Sequence, residues 1–300
     1  MRKLLLAAAV SAAFSLPATV SAQTAPAAAP AAPASPHTFT GNVGLFSQYI
    51  FRGLTQTNEK PALQGGFDYA HSSGFYAGTW ASNITWFTDQ NANTLARPVS
   101  LAAPGSIGAP YTANQHNSAS LEWDFYGGYK NTFGGGDWNY DIGLLQYYYP
   151  GDYQNLGGNF SKPNTLEGYG AIGWKWITLK YSQSTSDAFG VKNSRGSNYT
   201  DLAAAIPIGE SGFTLGLHYG KQQYKGKSPL FNGTTLNNGL FTYSDWKVGL
   251  TKEWMGLTWQ AFATSTNAKD TDPTFGAVYR NVYGKNIGRS EITLGVQKTF

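Results

Sequence analysis

Four histidines, seventeen carboxylates and no cysteine are the groups from which this 300-residue chain could build acid–base, nucleophilic or metal chemistry. Without cysteine there is no thiol nucleophile, no zinc–thiolate site and no disulfide. His37, His71, His116 and His218 are scattered along the chain. His71-Ser72-Ser73-Gly74 sets a base beside hydroxyls, but residues this close in sequence do not present nucleophile and base to each other as a triad does. There is no Gly-x-Ser-x-Gly elbow and no His-Glu-x-x-His pair. Asp270 and Asp272 flank Thr271 beside Lys269, a pattern of solvated loop charges rather than a calcium site. Gly134-Gly135-Gly136 lacks the Lys-Ser or Lys-Thr that completes a phosphate loop. The expectation is a protein that is no enzyme and carries no cofactor and no metal.

The elements that hold these residues are of another kind. Arg2 and Lys3 precede an apolar stretch from Leu4 to Leu16, and Val20-Ser21-Ala22 supplies small residues before Gln23. That is the pattern of a cleaved secretory signal over residues 1–22, too short in its apolar part to span a bilayer. Residues 23–37, dominated by Ala and Pro, read as a tether, and 38–300 as one folded domain. Of the 21 basic residues, Arg2 and Lys3 leave with the signal, so 19 face 17 acids and the balance of +2 is too small to argue for nucleic acid. Only 13% of residues are charged while 15% are aromatic, and mean hydropathy is −0.31. A helical membrane protein is excluded, because beyond the N-terminus no apolar run reaches the roughly 18 to 20 residues that a spanning helix needs.

From Thr38 onward the period is two, not 3.6. Trp138, Tyr140, Ile142, Leu144 and Tyr148 share one face of a segment whose other face carries Asn139, Asp141 and Gly143. Phe213, Leu215, Leu217 and Tyr219 alternate with Thr214, Gly216 and His218, and Trp246, Val248, Leu250 and Trp254 repeat the pattern, broken by Lys252. Aromatics at the ends of a face with aliphatics between them suit lipid, since Trp and Tyr favour the headgroup zones; a soluble sandwich has no reason to sort them. The spacing predicts twelve strands near residues 39–51, 61–70, 74–87, 119–130, 138–149, 166–176, 177–185, 197–206, 212–223, 243–254, 256–266 and 289–300. Short connections alternate with long ones, as in an up-and-down antiparallel transmembrane β-barrel with tight periplasmic turns and long outer loops. An even strand number returns both ends of the barrel to the periplasm.

Alternation also assigns a lumen face. Arg52, Asp68, Glu122, Asp124, Lys130, Asp141, Lys180, His218, Asp245 and Lys247 point inward as candidate pore-lining residues, with acids outnumbering bases over the whole inward set, so mild cation preference is expected. Phe51 is placed at the outer interface before a turn at Gly53, and Arg52 opposite carboxylates such as Asp68, either pinning two strands or lining the pore. On the same register Leu144→Arg impairs folding and Gly143→Ser does not.

Three runs carry a family resemblance: Ser47-Gln48-Tyr49-Ile50-Phe51-Arg52-Gly53-Leu54-Thr55-Gln56-Thr57, Lys60-Pro61-Ala62-Leu63-Gln64-Gly65-Gly66-Phe67-Asp68-Tyr69 and Ser73-Gly74-Phe75-Tyr76-Ala77-Gly78-Thr79-Trp80-Ala81-Ser82-Asn83. With Glu122 to Tyr129, Tyr147 to Gly151 and the closing Leu294 to Phe300, the chain resembles the TorF-type porin family of Gram-negative outer membranes over nearly all of residues 40–300. Ile292, Leu294, Val296 and terminal Phe300 resemble the end segment that is read during barrel assembly, with Lys298 departing from the usual apolar residue. The resemblance implies a secreted barrel in the cell outer membrane, with lipid and the assembly machinery as partners and small solutes or ions as cargo. A closed barrel serving as adhesin or envelope scaffold, and a transporter for one solute, stay open beside the passive pore, as do the solute and the oligomeric state.

Overall fold

The computed structural model describes residues 35–89, 117–153, 161–228, 235–274 and 276–300. The signal, most of the tether and His116 lie outside these. Twelve antiparallel strands close on themselves: β1 (His37–Phe46), β2 (Ala62–His71), β3 (Phe75–Asn83), β4 (Leu121–Phe133), β5 (Trp138–Tyr148), β6 (Thr165–Trp174), β7 (Ile177–Ser184), β8 (Asn198–Pro207), β9 (Phe213–Gln223), β10 (Tyr243–Trp254), β11 (Leu257–Thr266) and β12 (Glu291–Thr299). Each strand pairs with its sequence neighbours, and β12 closes on β1 through Asn42↔Thr299 to Phe46↔Gly295. Closure gives every backbone group of a strand a partner, the condition for a sheet surrounded by lipid.

Each expected strand exists, with ends shifted by up to five residues; the fourth, for example, runs on to Phe133 instead of 130. The first stops at Phe46 instead of residue 51, the third at Asn83 instead of 87, and the last runs from Glu291 instead of 289. His37, assigned to the tether, opens β1 opposite His71. His71 also meets its neighbour, contrary to expectation: its Nδ1 lies 2.7 Å from Ser73 Oγ and accepts the Ser73 N–H at 3.2 Å, which caps the β2–β3 turn.

The outer face is apolar and sorted. Ile142, Leu144 and Leu294 are more than half exposed, as are Leu63 and Ile292. Phe133, Trp138 and Trp174 neighbour one another across three strands at the short-turn end, while Trp123 pairs with Tyr148, and Tyr219 with Trp246, at the other. In water an apolar band this continuous would drive association; in lipid it is the stable face. Lys252, at the short-turn end, lays its ammonium 4.3 Å from the centre of the Phe213 ring, and Lys298 donates to the Gly256 carbonyl at 2.8 Å, so both interrupting lysines reach the rim. Phe300 extends the seam by two backbone hydrogen bonds to Gly41 and packs its ring where a Gly41 side chain would stand.

Candidate functional site

Inside the barrel the residues that should have continued β1 do something else. After Phe46 the chain leaves the wall, and Ile50–Phe51 pairs with Leu54–Thr55 in a two-residue hairpin. Arg52 (φ 46°) and Gly53 (φ 77°) are both left-handed, the requirement of a type I′ turn. Glycine takes this conformation freely; a non-glycine residue there is uncommon and marks a position that the surroundings enforce. The base of this strap is tied to the wall on two sides. On one, Ser47 N donates to Leu294 O and Gln48 Nε2 to Ile292 O; on the other, Thr85 N donates to Gln56 O beyond the end of β3.

The tip crosses to the far wall. Arg52 donates to Glu167 Oε2 on β6 at 2.8 Å and to Gln222 Oε1 on β9 at 2.6 Å, with its guanidinium 4.2 Å from the Tyr199 ring centre. Arg52 and Glu167 are both buried, so this is an ion pair shielded from water and completed by further hydrogen bonds. A β-carbon on Gly53 would lie 2.6 Å from Asp245 Cβ, so only glycine lets the tip approach β10 this closely. Tyr49 donates to Glu122 Oε1 at 2.6 Å and stacks edge-on against Trp80, and Phe51 meets Tyr147 and Phe189.

Two expectations are corrected here. Phe51 is buried in the lumen and not at the outer interface, and Arg52 pairs with Glu167 and not with Asp68, whose carboxylate accepts from Tyr126 Oη at 2.6 Å. Period-two alternation cannot separate these cases: Tyr49 and Phe51 continue the lipid-facing row of Val43 and Leu45, and aromatics there suit an interface as well as a packed interior. The signal that was available is the Arg-Gly pair itself, a turn inside an otherwise unbroken strand pattern.

The remaining candidates lie on inward faces. Glu122 and Asp124 are sealed beneath the strap, at 0% and 1% exposure, so they are separated from any solution in the lumen. Farther from the outer mouth runs a belt of alternating charge. Lys130 stands opposite Asp141 on the neighbouring strand and Lys180 opposite Asp201, while the two bases His218 and Lys247 face each other. His218 lies between two carboxylates, with Nδ1 2.8 Å from Asp201 and Nε2 2.8 Å from Asp245, and Tyr199 Oη 3.0 Å from Nε2. Asp141 accepts from Tyr76 Oη at 2.6 Å, and Tyr76 in turn bonds Tyr169. The lysines lie against rings, Lys180 at 3.9 Å from Tyr169, Lys130 at 5.1 Å from Tyr76 and Lys247 at 5.1 Å from Phe262. The sequence pattern alone did not single out Glu167, Gln222, Tyr199 and Asp201 as partners, because none of them neighbours Arg52 or His218 in the chain.

The two halves of the lumen differ. Inward side chains of β1 to β6, with Tyr49 and Phe51 of the strap and Ile84 and Phe87 after β3, form one aromatic cluster. Over the other half, Leu240 and Phe241 of a short helix, α1 (Asn237–Phe241), pack with Tyr224, Tyr243 and Tyr279 at the outer mouth. Gly143, expected to tolerate serine, is closed to it: a β-carbon there would lie 2.7 Å from the Gly127 carbonyl oxygen and 2.5 Å from Tyr169 Oη. The loop acids are paired with bases, Asp270 with Arg280 and Asp272 with Lys269.

A family model described as "Bacterial protein of unknown function (Gcw_chp)" matches residues 30–300. No curated protein matches the chain. Among solved structures, the KdgM porin is similar at 9% identity and a TM-score of 0.47, covering 87% of this chain and 99% of that one. The COG4313 outer membrane channel from Pseudomonas putida F1 is similar at 11% identity and 0.45, covering 90% and 100%. The NanC porin stands at 9% and 0.43, covering 87% and 98%.

Proposed function

We propose that this chain, which belongs to the bacterial Gcw_chp family, is a narrow channel of the Gram-negative outer membrane whose strap sets the constriction. The observation that carries this reading is the lumen itself: a belt of opposed charges inside an apolar-walled barrel, crossed by a segment that one buried guanidinium clamps to the far side. A barrel needs no interior charge to be stable, and charged rings in a low-dielectric wall attract and select ions. The apolar band with its two aromatic girdles supports lipid as the solvent of the outer face. The TorF-type resemblance supports the same reading, with small hydrophilic solutes or ions as cargo, residues 1–22 as an export signal, and Ile292, Leu294, Val296 and Phe300 as the segment the assembly machinery reads.

The strap also favours a second reading, in which the barrel stays shut and serves as a scaffold or presents its outer loops. Conductance separates the two. Purified protein in a planar bilayer gives discrete current steps if the lumen conducts; a silent barrel that nevertheless fractionates with the outer membrane, and that migrates faster on gels when unheated, is the scaffold.

A further inference from the structure

One stretch of the inner wall carries polar atoms that find no hydrogen-bond partner among the described residues. Gln48 Oε1, Gln260 Oε1, Thr264 Oγ1 and Thr293 Oγ1 are buried without a hydrogen-bond partner. They form one patch. Thr264 on β11 faces Glu291 across the β11–β12 pair, Thr293 faces Phe262, and Gln260 faces Gly295, so the three inward side chains sit on successive pleats of two adjacent strands. Gln48, at the base of the strap, donates through Nε2 to Glu291 Oε2 and Ile292 O, which turns its amide oxygen away from them. Phe46 fills the space over Gly295 and bounds the patch on the β1 side.

Leaving a buried polar atom unpaired costs about 1 to 3 kcal/mol per group, so four together are expensive unless something else meets them. Their chemistry is specific. Two amide oxygens accept, and two hydroxyls both donate and accept, while none carries a charge. Such a set fits a molecule that offers several hydroxyls, and Lys247 stands directly across the β10–β11 pair from Thr264. We infer that this wall is where solute is held during passage, and that the solute class it favours is small and polyhydroxylated. These atoms are buried in this conformation, so holding a solute here requires the strap, whose Gln48 bonds Glu291 and Ile292 at the edge of the patch, to lift. The inference rests on the channel reading above and narrows its cargo.

Erythritol is a suitable probe, followed by swelling of liposomes carrying the full-length protein, with KCl conductance measured in parallel. Thr264→Val with Thr293→Val keeps shape and removes both hydroxyls; the serine pair keeps the hydroxyls, and the heat-dependent gel shift reports folding in each. The valine pair should lower erythritol entry by roughly an order of magnitude, the worth of two neutral hydrogen bonds. KCl conductance should stay within about twofold, and the serine pair should behave as wild type. Equal loss of erythritol and KCl flux, or no loss of either, overturns the assignment of this wall and leaves the channel standing. A wild-type barrel that passes neither overturns the channel and the wall together.

Discussion

At the scale of single residues, Arg52 has the most consequence. It sits in a left-handed conformation, it is buried, and its charge is balanced by one carboxylate on the opposite wall. Removing one partner of a buried ion pair costs about 3 to 5 kcal/mol, because the other charge is left without compensation. Arg52→Ala should therefore unseat the strap without opening the barrel, since no strand pairing depends on it. The check is limited proteolysis of the folded protein, with new cleavage expected between Ser47 and Lys60. Gly53→Ala should act in the same direction by a different cause: the left-handed backbone costs an alanine about 1 to 2 kcal/mol, and its methyl group meets Asp245. If both variants resist protease as wild type does, the strap is not held at its tip.

At the scale of elements, most of the wall was legible because a barrel strand repeats one physical decision ten times: lipid or lumen. Trp138 to Tyr148 shows it, with Ile142 and Leu144 outward and Asp141 and Leu145 inward. β1 shows where that logic ends. Its outward row continues past Phe46 through Tyr49 and Phe51, and only three-dimensional closure reveals that the chain has turned into the lumen, where the same aromatics find partners on β3, β4 and β5. The partners of Arg52 were illegible for the same reason, since Glu167 and Gln222 are far from it in sequence. The lipid register itself is testable. Leu144→Arg puts a charge in mid-membrane at about 2 to 4 kcal/mol and should abolish the folded gel band. Ala171→Ser, which faces inward opposite Asp141, should leave that band intact. Gly143→Ser, in contrast, should fail beside Leu144→Arg because the wall is too close there.

At the scale of the whole molecule, the charge count from sequence suggested cation preference, and the arrangement of those charges weakens it. Glu122 and Asp124, two of the inward acids in that count, both lie sealed beneath the strap. What remains in reach is a belt in which Lys130 answers Asp141, Lys180 answers Asp201, and His218 sits between two carboxylates. Opposed charges at this spacing largely cancel over a Debye length of about 8 to 10 Å. The reversal potential in a KCl gradient should lie near zero, and Glu122→Gln with Asp124→Asn should not move it. A strong cation preference abolished by that pair would mean that the sealed acids face the conducting path.

The claim that joins these scales is that the barrel conducts and the strap limits it. Single-channel recording of wild type and Arg52→Ala side by side in planar bilayers tests it most directly. Discrete steps are expected in both, with larger or longer openings once the clamp to Glu167 is gone. Silence from both proteins, each verified as a folded barrel, would contradict it.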